Sequence, residues 1–276
     1  MNITTLIQDS ENKFKKNLED FFLKIWGNTI LLSHGIGHHR RVWHYSKEIL
    51  CAVHDSGIKT SPDLAVKLII ASYLHDIGMS VDPGEQHGYF SGELCRIFIT
   101  ENQLDEPEFK DVIYAVAVHD QKEYNSSSGE KSLLSILSVA DDLDAFGYIG
   151  IYRYLEIYLA RGIPASEAAF RIKLNAEKRY SNFLNFSSDI KGLKEMHKER
   201  YQILLRFFKD FINTLELPRK NLEMIGYQGI SEMISEILKN KDSEKELITY
   251  FGRDHNDLII NDFTSGYLKE IKEFPG

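Results

Sequence analysis

Cysteine is nearly absent from this chain: Cys51 and Cys95 are the only two in 276 residues. Both fall in apolar helical patterns. A disulfide framework needs more of them, so they read as buried free thiols. No run of 18 uncharged apolar residues occurs, which excludes a helix built to span a bilayer. No dense basic run occurs either, and the net charge is −8, from 33 basic and 41 acidic residues. That balance excludes a duplex nucleic-acid footprint and leaves room only for a small basic pocket that takes phosphate groups. The stretch Met1 to Asp20 is mostly polar and charged, without the apolar core of a signal peptide, so a cytoplasmic protein without membrane attachment is expected. Strand signals are sparse, and there is no internal repeat, no His-Glu-x-x-His and no Cys/His finger spacing.

What is present is helix. The composition, 43% hydrophobic and 27% charged, is that of an ordinary globular protein, and the length allows one large domain or a domain plus an appendage. Apolar residues at helical spacing predict helices over about 11–32, 36–55, 88–100 and 189–215. A further one opens at Ser61-Pro62-Asp63, with a cap residue, a proline at the first position and an acid in the first turn. Asp105-Glu106-Pro107 opens another, which runs to His119. Lys131 to Leu159 reads as one long helical region with Gly147 and Gly150 as weak points, and Pro164 starts the next helix. Gln121 to Gly129 is a polar loop. Leu217-Pro218-Arg219 looks like a boundary, followed by helices near 229–239 and 243–251 and a tail with no assigned structure. The expected fold class is all-α.

The most informative stretch is Leu64 to Gly78. Residues Leu64 to Leu74 are almost all apolar, and His75-Asp76 follows at once. A helix apolar nearly all round is a buried helix, and a carboxylate at its end is costly unless something pairs with it. A divalent metal is one such partner. His38, His87, His119 and Asp141 also lie at or near the ends of expected helices or on apolar ones. Each has an ordinary reading alone: a core histidine for His119, a surface loop for His87, an arginine partner for Asp141. Spacing does not choose His38 over His34, His39 or His44. Together, imidazoles and carboxylates form a donor set suited to Mn, Fe, Co, Ni or Zn, with Mg still admissible, and helical bundles commonly converge on such sites.

Three runs carry a family likeness: Gly37-His38-His39-Arg40-Arg41-Val42-Trp43, Leu74-His75-Asp76-Ile77-Gly78, and Ala140-Asp141-Asp142-Leu143-Asp144-Ala145-Phe146-Gly147. In these the sequence resembles the HD-domain superfamily of metal-dependent phosphohydrolases over roughly residues 15–215. His34 to Trp43 and Gly147 to Gly150 look most like the small bacterial HD nucleotide pyrophosphohydrolases. The resemblance implies an HD-domain helical bundle at 15–215 with a C-terminal helical extension at 218–276. It implies a first metal held by His38, His75, Asp76 and Asp141. His87-Gly88-Tyr89-Phe90-Ser91-Gly92 and Val116-Ala117-Val118-His119 resemble the binuclear branch, where His87 and His119 would hold a second ion bridged by the catalytic Asp76. The two likenesses thus imply one ion or two. The expected reaction is hydrolysis of a phosphoester or phosphoanhydride of a nucleotide or related phosphate by metal-activated water. The alternative is a metal- or nucleotide-binding regulatory protein with little turnover.

Two cationic side chains are substrate candidates. Arg41 lies three residues after His38 on the same helical face, with a salt bridge to Asp142 or Asp144 as its other reading. Lys122 lies three after His119 on a loop rim, or is simply solvated. Asp144, one turn from Asp141, is placed to orient a ligand histidine. The signatures of cyclic-di-GMP phosphodiesterases and of alarmone hydrolases are both absent, which lowers those substrates. The segment after Pro218 could serve as a partner element or make a homodimer.

Overall fold

The computed structural model describes residues 2–27, 29, 31–121, 131–215, 226–241 and 243–274. Among them there are twelve α-helices, joined in places by short 3-10 turns, and no strand. The fold class is all-α, as the periodicity predicts. No helix among the described residues is long and apolar enough to cross a membrane. The loop expected after Gln121 and the boundary at Leu217-Pro218-Arg219 lie outside the described residues.

The first helix, α1 (Ile3–Trp26), begins eight residues earlier than the sequence reading placed it. Asn2 caps it by accepting from Thr4 N at 3.0 Å, and Ile3, Ile7 and Ser10 extend the buried stripe back from Phe14. Helix α2 (Ile36–Asp55) has the expected bounds. Helix α3 (Leu64–Leu74) starts two residues after Pro62, with Asp63 and not Ser61 at the cap position and the Asp63 carboxylate 2.9 Å from Lys67 Nζ. Nine of its eleven residues are buried. Lys67 lays its stem along the helix and reaches out to Asp63 and Asp111, as long amphipathic side chains do. Helices α1 and α2 pack on α3, and the small pair Ser46 and Ser72, with Oγ atoms 3.0 Å apart, sits between α2 and α3.

Helices α4 (His87–Glu101) and α5 (Lys110–Val118) pair with each other, and α6 (Leu133–Asp144) lies against α2. The long region expected over 131–159 is two helices: α6 ends at Asp144 and α7 runs Gly147–Ala160. Gly147 takes φ +75°, a conformation L side chains rarely adopt, and a Cβ on Gly150 would stand 2.1 Å from Ala145 O. The chain therefore passes from α6 to α7 through a tight connection that favours glycine at both positions.

Helices α8 (Ala165–Phe186) and α9 (Leu193–Leu215) pack together, and α7 contacts both. Helices α10 (Tyr227–Asn240), α11 (Glu244–Phe251) and α12 (Leu258–Glu273) complete the chain. The last is the tail that had no assignment. Asp257 caps it, accepting from Ile259 N and Ile260 N. Packing crosses the expected boundary near 218, since α10 and α12 lie on α7 and Glu270 accepts from Ile149 N at 2.9 Å.

Candidate metal centre

Helix ends supply the centre. His38 stands in the first turn of α2, the His75-Asp76 doublet closes α3, His87 opens α4, His119 closes α5 and Asp141 lies in the last turn of α6. All are buried, from His75 at 0% exposure to His87 at 8%. Gly78 lets α4 approach the doublet. A Cβ there would meet His87 O at 2.2 Å, and its N–H donates to Ser91 Oγ at 2.8 Å. Ser138 of α6 fixes the end of α5 by donating to His119 O at 3.1 Å.

Two groups of donor atoms result. One is His38, His75, Asp76 and Asp141; the other is Asp76, His87 and His119; within each, all the donors lie within 4.8 Å of one another. Asp76 belongs to both. Its Oδ2 lies 3.3 Å from His38 Nε2 and 3.4 Å from His75 Nε2. Its Oδ1 lies 3.0 Å from His119 Nε2 and 3.6 Å from His87 Nε2.

The rings are oriented from behind. Nδ1 of His75 donates to Ser72 O at 3.0 Å, that of His87 to Gly84 O at 2.7 Å and that of His119 to Val116 O at 2.8 Å. Nδ1 of His38 donates to Asp144 Oδ2 at 2.7 Å. These partners only accept, so each ring carries its proton on Nδ1 and turns Nε2 inward. This is the outer-shell pattern of metal-binding histidines. His38 Nε2 and His75 Nε2 then face each other at 3.0 Å, a contact between two lone pairs unless a proton or a cation lies there. The donor set therefore fits a metal ion.

Electrostatics agree. Burial alone would push the Asp76 carboxyl up, but the adjacent His75, with His119 and His38 also facing it, holds it well below the usual carboxylate range. Burial lowers His75. His119 moves up despite burial because Asp76 faces it. Asp144 is likewise buried and held well below normal by Arg41 and Arg153.

Arg41 forks onto Asp144, Nε to Oδ1 at 2.6 Å and Nη2 to Oδ2 at 3.1 Å. It braces the group that orients His38 and does not line the cavity in front of the cluster. The ion pair with Asp144, the alternative weighed for Arg41, is the contact it makes. Lys122 lies outside the described residues. The neighbouring histidines are sorted as well. His39 turns into the core against Phe22, ring centroids 4.4 Å apart, and His44 pairs with Glu48 on the half-exposed side of α2.

Sequence reasoning missed Arg153 and Arg179. Arg153 of α7 places Nη2 3.1 Å from Asp141 Oδ1, 3.3 Å from His38 Nε2 and 3.4 Å from His34 Nε2. Its Nη1 lies 3.1 Å from Asp144 Oδ2. Arg179 of α8 donates to Asp141 Oδ2 at 3.1 Å and to Asp142 Oδ1 at 2.7 Å. Asp141 thus has the arginine partners considered for it and also faces the histidines. His34 is held at the rim because Ser33 N donates to the buried Glu156 at 2.9 Å. Arg153 had a readable signal, since it and Glu156 are the only charges in the otherwise apolar run Gly147–Ala160. Arg179 had none, lying on a helix rich in charge.

A cavity of about 370 Å³ opens onto both groups. Asp76, His87, His119 and Asp141 line it, with the cations Arg153, Arg161, Lys178 and Arg179 and the acids Glu85 and Asp120. No family model, no curated protein and no solved structure matches this chain.

Proposed function

We propose that the protein is a metal-dependent phosphohydrolase of the HD type, acting on a phosphoester or phosphoanhydride of a nucleotide or related phosphate. The observation that carries this reading is the carboxylate of Asp76, which turns one oxygen to each of two histidine groups and lines a cavity that also carries Arg153, Arg161, Lys178 and Arg179. The mixed imidazole and carboxylate donors suit Mn, Fe, Co, Ni or Zn. His38, His75, Asp76 and Asp141 would hold one ion, and Asp76, His87 and His119 a second. When bound, such ions supply Lewis acidity toward a phosphoryl oxygen and a water that ionises near neutral pH.

The chain's own residues do the rest. Asp76 fixes the spacing of the two groups. Asp144 and the carbonyls behind the other rings keep every Nε2 aimed inward. Phosphoryl transfer relies on positioned cations more than on covalent chemistry, and Arg153 and Arg179 stand where they can receive phosphoryl oxygens above Asp141. Burial of the donor set lowers the local dielectric and strengthens each of these interactions.

Elemental analysis of protein purified without chelator, followed by Mn-supported assay on an aryl phosphodiester and a panel of nucleotides, tests this. About two transition-metal ions per chain and metal-dependent turnover are expected, with Asp76→Ala losing both. A fully metal-loaded protein that turns over none of these substrates would overturn the enzyme reading. Occupancy of one ion would confine the centre to His38, His75, Asp76 and Asp141.

A further inference from the structure

A second cavity, of about 620 Å³, adjoins the metal cavity and shares Met79, Ile157 and Arg161 with it. The common wall begins close to the metal ligands, since Met79 N donates to Asp76 O at 3.0 Å. Arg161 stands at the junction and donates to Pro83 O at 3.0 Å, which ties the end of α7 to the loop before α4. Beyond that point the character of the lining changes. Ile25, Trp26, Pro83 and Ala160 supply apolar surface. The two hydroxyls there are already committed: Thr29 Oγ1 donates to Trp26 O at 2.6 Å and Ser80 Oγ to Ile77 O at 2.7 Å.

We propose that this second cavity receives the organic group of the substrate, and that the substrate is a phosphate compound carrying an apolar or aromatic ring. The inference rests on the phosphohydrolase reading of the adjoining centre. Its ground is the match of polarity. One cavity carries Arg153, Lys178 and Arg179 and opens onto the candidate ligand atoms, the next is mostly apolar, and the two adjoin along Met79, Ile157 and Arg161. A molecule with an anionic end and an apolar end fits such a pair. With the lining hydroxyls engaged on the backbone, the ring is held by burial and shape and not by hydrogen bonds to its edge. A nucleoside base is one ring of this kind, and the site would accept different bases alike.

Calorimetric titration of the Mn-loaded protein with two non-hydrolysable probes, 3-phenylpropylphosphonate and propylphosphonate, tests the assignment. The phenyl compound is expected to bind at least about ten-fold tighter, the scale on which an apolar pocket discriminates. Ala160→Phe, at an exposed position that lines only the second cavity, should abolish that preference and leave propylphosphonate binding unchanged. Equal affinities in the parent protein, or a preference that survives Ala160→Phe, would overturn this inference and leave the phosphohydrolase reading standing. If neither phosphonate binds the metal-loaded protein, the phosphohydrolase reading itself fails, and this inference with it.

Discussion

Asp144 touches no part of the cavity, yet it governs how His38 presents itself. Its carboxylate accepts the His38 Nδ1 proton and is held in turn by Arg41 and Arg153. Asp144→Asn keeps an oxygen that can accept from His38 but removes the charge that anchors both arginines and favours the basic Nε2. Loss of such an outer partner typically weakens metal binding by about 10–100-fold. Titration of the metal-free variant with Mn should show that loss at one site, with the Asp76, His87 and His119 site less affected. Unchanged affinity at both sites would mean that Asp144 serves only to neutralise arginines. Several of these residues were readable because each broke a local rule. A carboxylate at the end of the apolar helix Leu64–Leu74 and another on the apolar face of Leu133–Asp144 demand partners. Arg179 broke no rule, because an arginine on a helix as charged as Ala165–Phe186 is unremarkable, and only the fold turns it toward Asp141.

At the scale of elements, most helices were legible and several ends were not. The bounds of α2 follow from its stripe of Val42, Trp43, Ile49, Leu50 and Val53. The break between α6 and α7 depends on how close Gly150 comes to Ala145 O, which pattern alone does not reveal. Helix α9 also buries a group whose consequence is measurable. His197 packs between Phe183 and Tyr45, and neither ring nitrogen has a hydrogen-bond partner among the described residues. Burial pushes it down to about 4, with Arg200 reinforcing the shift and Glu48, 3.7 Å away, opposing it. The folded protein therefore keeps His197 neutral where the unfolded chain, near 6.5, takes up a proton. Above about pH 6.5 both states are neutral and the group contributes no pH dependence. Between about 6.5 and 4 stability falls as pH falls, by up to roughly 1.4 kcal/mol per unit and on the order of 3 kcal/mol in all. His197→Leu should remove that share of the acid sensitivity in denaturant melts taken from pH 7 to pH 4. Parallel curves for the two proteins would show that the ring is already protonated in the fold.

For the molecule as a whole, the centre is where the ends of helices packed through one apolar core meet. Helices α2, α3, α4, α5 and α6 bring polar ends together, and α7 adds Arg153 behind them. Helix α7 is itself buttressed from the C-terminal side. Glu270 of α12 accepts from Ile149 N, and Tyr267 packs on Tyr152 with ring centroids 5.2 Å apart. The sequence left this tail unassigned, so neither α12 nor the helix it covers was legible. Buried at this meeting point are Asp76, Asp141 and Asp144, together with four histidines whose Nε2 atoms point at one another or at Asp76. Without a cation the cluster holds facing lone pairs, so metal binding should be coupled strongly to folding. A ligand that binds only the folded state at about 100 times its Kd adds roughly 2.7 kcal/mol. For a chain of this size each kcal/mol moves Tm by about 2–4 °C, so Mn should raise the melting temperature by about 5–10 °C over chelator-treated protein. Asp76→Ala should melt at the same temperature with and without the ion, because both donor groups pass through that carboxylate. If the parent protein also melts identically in Mn and in chelator, the histidine and aspartate cluster is an internal polar network that neutralises itself through Arg41, Arg153 and Arg179, and the metal-dependent reading falls.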